Sequence, residues 1–526
     1  MKRIIIAVAI FFVAVTACAG SPVEKEDSIN IMYVPLDQRP VNLNYVTGTV
    51  DAAADNVITP PLELLPHKRN PGEIGKLWQW VFENGKQADY IVLSADTMVY
   101  GGLTPSRIHN ISEDVLTERL ANFDKIKELN PDAKLFVFDT IMRTHKQNTS
   151  LAEPDYYGIY GSKIFEITAL WDKGEVQDLT SVEEKHLRKL LDSVPQEVLK
   201  DYMDRREKNS TVNSKLVEKT YDGVIDHLVL CRDDTSSYSQ SSREYRVLAE
   251  MARDLPRNKF TAIAGADEVG LLLLTRAVNE MNNQKPAVYT RYANGVGGMT
   301  IPRYEDYEVW KSVRDHINAA GCLPAYTPKE ADLILAVNTP ENGVTGEAGS
   351  VKNMVKDSEV INAFVNDIGV YIGRGHRLAV ADIAFNNGSD NSLMAELASA
   401  NLLEKLTAYA GWNTAGNSLG YALGQGVLAG YMEEKEAQHI LAVRLLDDWG
   451  YQANVRSDIQ RNLVKEVDLT KFNIQDKEAL MRAAVKAKLM QFADENLDQF
   501  NIEGIYVTFP WNRTFEIYLR LNEVSS

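Results

Sequence analysis

Cysteine is scarce: the 526 residues hold three, Cys18, Cys231 and Cys322. Cys231 and Cys322 sit in apolar surroundings, and a chain of this size needs no disulfide framework, so both read as buried free thiols. Nucleotide motifs are missing too. No Gly-x-Gly-x-x-Gly follows a strand-like run and no Walker loop occurs, which argues against a nucleotide cofactor. The 8 histidines (His67, His109, His145, His186, His227, His316, His376 and His439) are scattered without paired metal spacing. No acidic loop repeats oxygen ligands at calcium-site intervals, so neither metal nor cofactor is expected. Basic charge is in deficit: 56 Lys and Arg against 73 Asp and Glu leave a net charge of -17. That balance argues against a nucleic-acid partner and suits neutral or cationic ligands.

Long apolar runs are absent except at the start. Met1-Lys2-Arg3 precedes the run Ile4 to Val15, and Val15-Thr16-Ala17-Cys18 follows. The run is shorter than the ~20 residues a bilayer span requires, so it reads as a cleaved signal. Small residues before Cys18 resemble a bacterial lipobox. The expectation is an exported protein: a signal over 1–17, lipidation at Cys18, a polar tether over 18–28, and a body held on the periplasmic or cell-surface face of a membrane.

The remaining residues repeat one rhythm, a short β-branched run ending in polar residues and followed by a helical stretch. Examples are Ile29 to Val34 before Asp37, Tyr90 to Leu93 before Asp96, His227 to Leu230 before Asp233-Asp234, and Leu378 to Ala381 before Asp382. Strands this apolar on both faces belong to a parallel sheet covered by helices, with the active site at their carboxyl ends. Eight such units fit a (β/α)8-type barrel with insertions over 29–430, followed by a helix-rich region over 431–526 that ends in a hairpin around Pro510-Trp511-Asn512. Insertions are placed near 151–220 and 287–331. The strand-like segments Val57 to Thr59 and Ala287 to Tyr292 do not fit a bare barrel, and the alternative is a doubly wound α/β multi-domain chain.

Chemistry concentrates at the strand ends. Two adjacent acids, Asp233-Asp234, can divide their duties: neighbouring side chains point in different directions, and close carboxylates push each other's pKa apart. They are the catalytic candidates, although they could also cap the helix starting near Ser241. Asp267-Glu268 repeats the arrangement and is assigned to substrate binding, with a helix cap as the competing explanation. Asp37 with Arg39, Asp96, and Asp139 with Arg143 are further strand-end groups, the paired ones equally explained as loop-holding ion pairs. Asn386, Asn387 and Asp390 occupy a turn able to present amides to sugar hydroxyls. Trp412, Asn413 and Asn417 combine an aromatic platform with amides, or else a core plug with a cap. Among the histidines, His145 alone falls near a strand end of interest.

Several of these stretches, namely Val34-Pro35-Leu36-Asp37-Gln38-Arg39-Pro40-Val41-Asn42, Tyr100-Gly101-Gly102-Leu103, Arg232-Asp233-Asp234, Gly265-Ala266-Asp267-Glu268-Val269-Gly270, Asn386-Asn387-Gly388 and Ala410 to Asn417, resemble the bacterial family called domain of unknown function 4127. The resemblance runs from about Ile29 to Met432 and implies no activity. The order of acids, amides and aromatic-Asn loop is also similar to the barrel of O-GlcNAcase-type β-N-acetylglucosaminidases. That likeness implies that Asp233 orients an acetamido group and Asp234 protonates the departing oxygen, the acetamido oxygen being the nucleophile. Long insertions and the Asp267-Glu268 pair depart from that pattern.

The resulting expectation is a glycoside hydrolase, retaining and substrate-assisted on an N-acetylhexosamine-containing glycan. The alternative is a lipoprotein that binds glycans for uptake without chemistry. Its partners are a carbohydrate and, through Cys18, a membrane.

Overall fold

A computed structural model describes residues 31–522 except 55, 56, 234, 466 and 468. The signal, Cys18, the tether and Asp234 lie outside the described residues.

Burial on both faces marks the strands. β1 (Ile31–Val34), β5 (His227–Arg232), β9 (Leu333–Asn338) and β11 (Leu378–Asp382) expose no residue on either side, as strands under helices on both faces must. With β2 (Val57–Ile58), β3 (Tyr90–Ser94), β4 (Lys134–Ile141) and β6 (Phe260–Ala264), the first two form a six-stranded sheet in the order β2-β1-β3-β4-β5-β6. The latter two join β7 (Ala287–Tyr292), β8 (Leu323–Pro324) and β13 (Ala408–Ala410) in a second sheet, ordered β13-β11-β9-β7-β8. Every pairing in both sheets is parallel. Two small ladders complete the set: β10 (Gly346–Glu347) with β12 (Phe385–Asn386), parallel, and β14 (Ile505–Thr508) with β15 (Tyr518–Leu521), antiparallel.

The α/β class with parallel sheets therefore holds, but the ring of eight strands does not form among the described residues. In each sheet the second strand adds outside the first and the third adds on the opposite side, so the order reverses and both sheets keep free edges. A barrel needs every strand added in one direction. The two segments that fit no barrel are the reason: Val57–Ile58 becomes the outer edge of the first sheet, and Ala287–Tyr292 founds the second.

Helices cover both faces of each sheet. Tyr33, Val92, Phe138 and Val229 point to a central layer, whereas Met32, Val34, Leu93 and Leu228 point outward to the helices Ile74–Asn84, Glu113–Leu129 and Gln196–Tyr221. The second sheet divides likewise, with Leu335 and Ala381 inward and Ile334 and Val380 outward. Its outer face packs on the helix Glu359–Gly373 and shares one apolar cluster with Asn391–Ser399 and Glu478–Asn496. Between the sheets lie Val269–Met281 and Ala415–Leu428, the first buried almost throughout and the second throughout. One apolar core thus serves both halves. Over 151–220 the chain forms the helices Tyr157–Val176, Ser181–Asp192 and Gln196–Tyr221. Cys231 and Cys322 are buried free thiols. No helix among the described residues is long and apolar enough to cross a membrane.

Leu271 is fully buried in this shared layer. Leu271→Ala should lower stability by about 2 to 5 kcal/mol and move a single cooperative denaturant transition for both sheets. Two separate transitions, only one of them displaced, would contradict a common core.

Candidate functional site

A cavity of about 300 Å³ opens where the carboxyl ends of both sheets meet. Many strand ends contribute to its lining. Arg39 follows β1, Thr104 and Arg107 follow β3, Arg143 and His145 follow β4, Asp233 follows β5 and Asp267 follows β6. Tyr304 comes from the stretch after β7, Asn387 from the end of β12, and Asn413, Thr414 and Asn417 from the start of the helix after β13. Trp511, Arg513 and Phe515, between β14 and β15, close the remaining side. Open parallel sheets bind ligands at their carboxyl ends where the strand order reverses, and here that point lies between β1 and β3.

Local sequence explains how the side chains arrive. After β3, Gly101 and Gly102 take φ of 89° and 129°, and a Cβ on either would lie 2.6 Å from Pro71 or Pro66. Only glycine fits such positions. The turn they make delivers the helix Leu103–Ile108, and with it Arg107, to the cavity. Trp511 and Asn512 also adopt left-handed backbone, at φ 59° and 55°, which costs non-glycine residues of order 1–3 kcal/mol each. The Trp511 ring lies near two guanidiniums there, 5.0 Å from Arg39 and 4.6 Å from Arg513.

The two lining carboxylates differ electrostatically. Asp233 Oδ2 accepts from Arg107 Nη2 at 2.6 Å and lies 3.5 Å from Arg143 Nη1. Burial pushes its pKa up, but Arg143 and Arg107 outweigh burial and hold it below the usual carboxylate value. Glu153, buried behind them, accepts from Arg143 Nε at 2.7 Å. Asp267 receives Arg39 on both oxygens, at 2.6 and 3.2 Å. Here burial dominates over Arg39, and the carboxyl is pushed up to about 6.

The described site residues among those expected from sequence divide into two groups. Arg39, Arg143, Asp233, Asp267, Asn387, Asn413 and Asn417 line the cavity. The others point into the protein. Asp37 backs Arg39, and Asp96 is fully buried against Thr140. Glu268 accepts from His316 Nε2 at 3.3 Å, Asn386 donates to the Gly346 carbonyl, Asp390 caps the helix Asn391–Ser399, and Trp412 packs on Phe515. Asp139 is also fully buried, bonded to Asn213. Arg107, Thr104, Tyr304, Trp511, Arg513 and Phe515 were not anticipated. Arg107 follows the quoted Tyr100-Gly101-Gly102-Leu103 motif by four positions, which was a usable signal.

Gly416-Asn417-Ser418-Leu419-Gly420 has the residue pattern of a nucleophile elbow. Ser418 nevertheless lies inside a helix, 2 % exposed, with its hydroxyl directed at the Trp412 carbonyl. The glycines answer to packing: a Cβ on Gly416 would lie 2.3 Å from the Ala264 carbonyl, and one on Gly420 2.4 Å from Glu268. Among the described residues no group of three or more His, Cys, Asp or Glu could hold a metal ion.

Beneath the cavity, Glu305 accepts the Gly416 N–H at 2.9 Å through Oε1 while its buried Oε2 has no partner. Burial pushes this carboxyl up to about 8. The folded state therefore binds its proton more tightly than the unfolded chain. The stability this gives is complete below the unfolded pKa, near 4.3, and is lost as pH rises through about 8. Glu305→Gln mimics the protonated form, so its melting temperature should fall less than that of the unaltered protein between pH 5 and 9. Parallel melting curves for the two would refute this account of Glu305.

No curated protein matches the chain. A family model described as "Protein of unknown function (DUF4127)" matches residues 31–520. Apart from the last residue of β15, the strands, the central helices and the cavity just described fall within that span, and the chain belongs to the DUF4127 family.

Proposed function

We propose that this protein is an exported glycoside hydrolase whose active site is the cavity at the strand ends. The observation that carries the reading is the pair of carboxylates on one cavity, Asp233 held ionised by two arginines and Asp267 raised toward neutrality. Environments that push two carboxyl groups apart in this way mark an acid and a partner that stays charged. Asp267 supplies the proton to the departing glycosidic oxygen. Asp233 stays anionic and orients the substrate or stabilises positive charge at the anomeric carbon. With an N-acetylhexosamine, Asp233 would hold the acetamido N–H while the acetamido oxygen attacks, so no protein nucleophile is required.

The lining supports a sugar. Trp511 and Phe515 offer apolar surface for a ring face, and Asn387, Asn413 and Asn417 offer amides for hydroxyls. A purely glycan-binding role is favoured by one feature, the two-arginine clamp that already satisfies Asp233, and affinity without turnover would establish it.

The soluble form starting after Cys18 should hydrolyse one member of a panel of aryl glycosides that includes 2-acetamido sugars and both anomers. Asp233→Asn should lower turnover by about 10² to 10⁴ with the fold retained, and Asp267→Asn should lower it as far while also lowering the melting temperature, because Arg39 loses a charged partner. The activity should decline as pH rises through about 6, where Asp267 loses its proton. Unaltered rates in both variants would sink the assignment. The export proposal rests on Cys18, and Cys18→Ala should move the protein from the membrane to the soluble fraction. Membrane association surviving that change would contradict the anchor.

A further inference from the structure

Arginine is concentrated where the overall composition gives no hint of it. The protein has a net charge of -17, yet Arg39, Arg107, Arg143 and Arg513 converge on one cavity where, among the described residues, the lining acids are Asp233 and Asp267. A second, smaller cavity of about 180 Å³ shares His145 and Tyr304 with the first, so the two adjoin. Its other lining residues are Lys146, Gln147, Thr235 and Arg303, and among the described residues no acid lines it. Arg303 gives one nitrogen to Glu347 at 2.9 Å and keeps about half of its side chain exposed, while Lys146 lies 5.5 Å from the Phe165 ring. A guanidinium carries five donors, and carboxylates take only some of these. Asp233 meets Nη2 of Arg107, and Glu516 meets Nε and Nη2 of Arg513.

Building on the glycosidase reading, we propose that the substrate is an anionic glycan, with a carboxylate or sulfate on the sugar that occupies the smaller cavity beside Lys146 and Arg303. The main cavity takes the sugar whose bond is broken. The next sugar then reaches the side walled by His145 and Tyr304, where positive charge is the outstanding feature. Arginine grips carboxylate and sulfate oxygens through paired donors, and lysine adds a point charge. Such a preference weakens with salt, because Arg303 is exposed.

Calorimetric binding tests this with three trisaccharides of one backbone: a neutral N-acetylhexosamine trisaccharide, its counterpart with a uronic acid as the second sugar, and its counterpart sulfated on that sugar. At low salt at least one charged ligand should bind tenfold or more tightly than the neutral one, and the better of the two identifies the group. The double variant Lys146→Gln/Arg303→Gln, checked for folding by circular dichroism, should erase the difference, as should 0.5 M salt in large part. Equal affinity for neutral and charged ligands, no binding of either charged ligand, or a preference that survives the double variant would overturn the proposal. Turnover of the same ligands separates the two readings. A charge preference without hydrolysis refutes the glycosidase and keeps the anionic subsite, whereas hydrolysis without preference does the reverse.

Discussion

Arg39 lies buried between two aspartates, with Nε shared by both oxygens of Asp37 at 3.0 and 2.9 Å and the two terminal nitrogens on Asp267. Asn42 bridges the same two acids, and Trp511 covers the guanidinium face. Three distant pieces of chain meet there: the loop after β1, the end of β6 and the segment ahead of β15. Removing one member of such a buried cluster leaves an uncompensated charge, at a cost of about 3 to 5 kcal/mol. The cluster also sets the chemistry. Burial raises the affinity of Asp267 for its proton, Arg39 opposes that, and the balance falls near 6.

The place of the site was legible in the sequence even where the architecture was not. Polar residues at the ends of doubly buried strands mark the ligand face of a barrel and of an open parallel sheet alike, so one pattern served both. What distinguishes the two is the order in which strands add. That order showed only indirectly, in two runs that no barrel could place, and they became the edge strand β2 and the founding strand β7. Each half repeats the same reversal of order without any repeat in the residues themselves.

Adjacent pairs were the limit of what residue type could resolve. Asp267 faces the cavity while Glu268 turns to His316, and Asn387 lines the cavity while Asn386 bonds to Gly346. In each pair the two side chains diverge, and composition does not say which one turns outward. Trp412 and Trp511 show the same difficulty at long range. The first sits in the more suggestive motif and packs in the core, whereas the second, far along the chain in the turn of the C-terminal hairpin, walls the cavity. Net charge misleads similarly, because it sums over a whole surface while a ligand meets only the local field.

Where a sugar sits on the molecule tests the assignment most directly. A crystal structure of the Asp233→Asn variant soaked with a substrate oligosaccharide should show a ring against Trp511, hydroxyls on Asn413 and Asn417, and the glycosidic oxygen within hydrogen-bond reach of Asp267. A sugar bound elsewhere on the molecule, or in the cavity with its glycosidic oxygen turned away from Asp267, would contradict it.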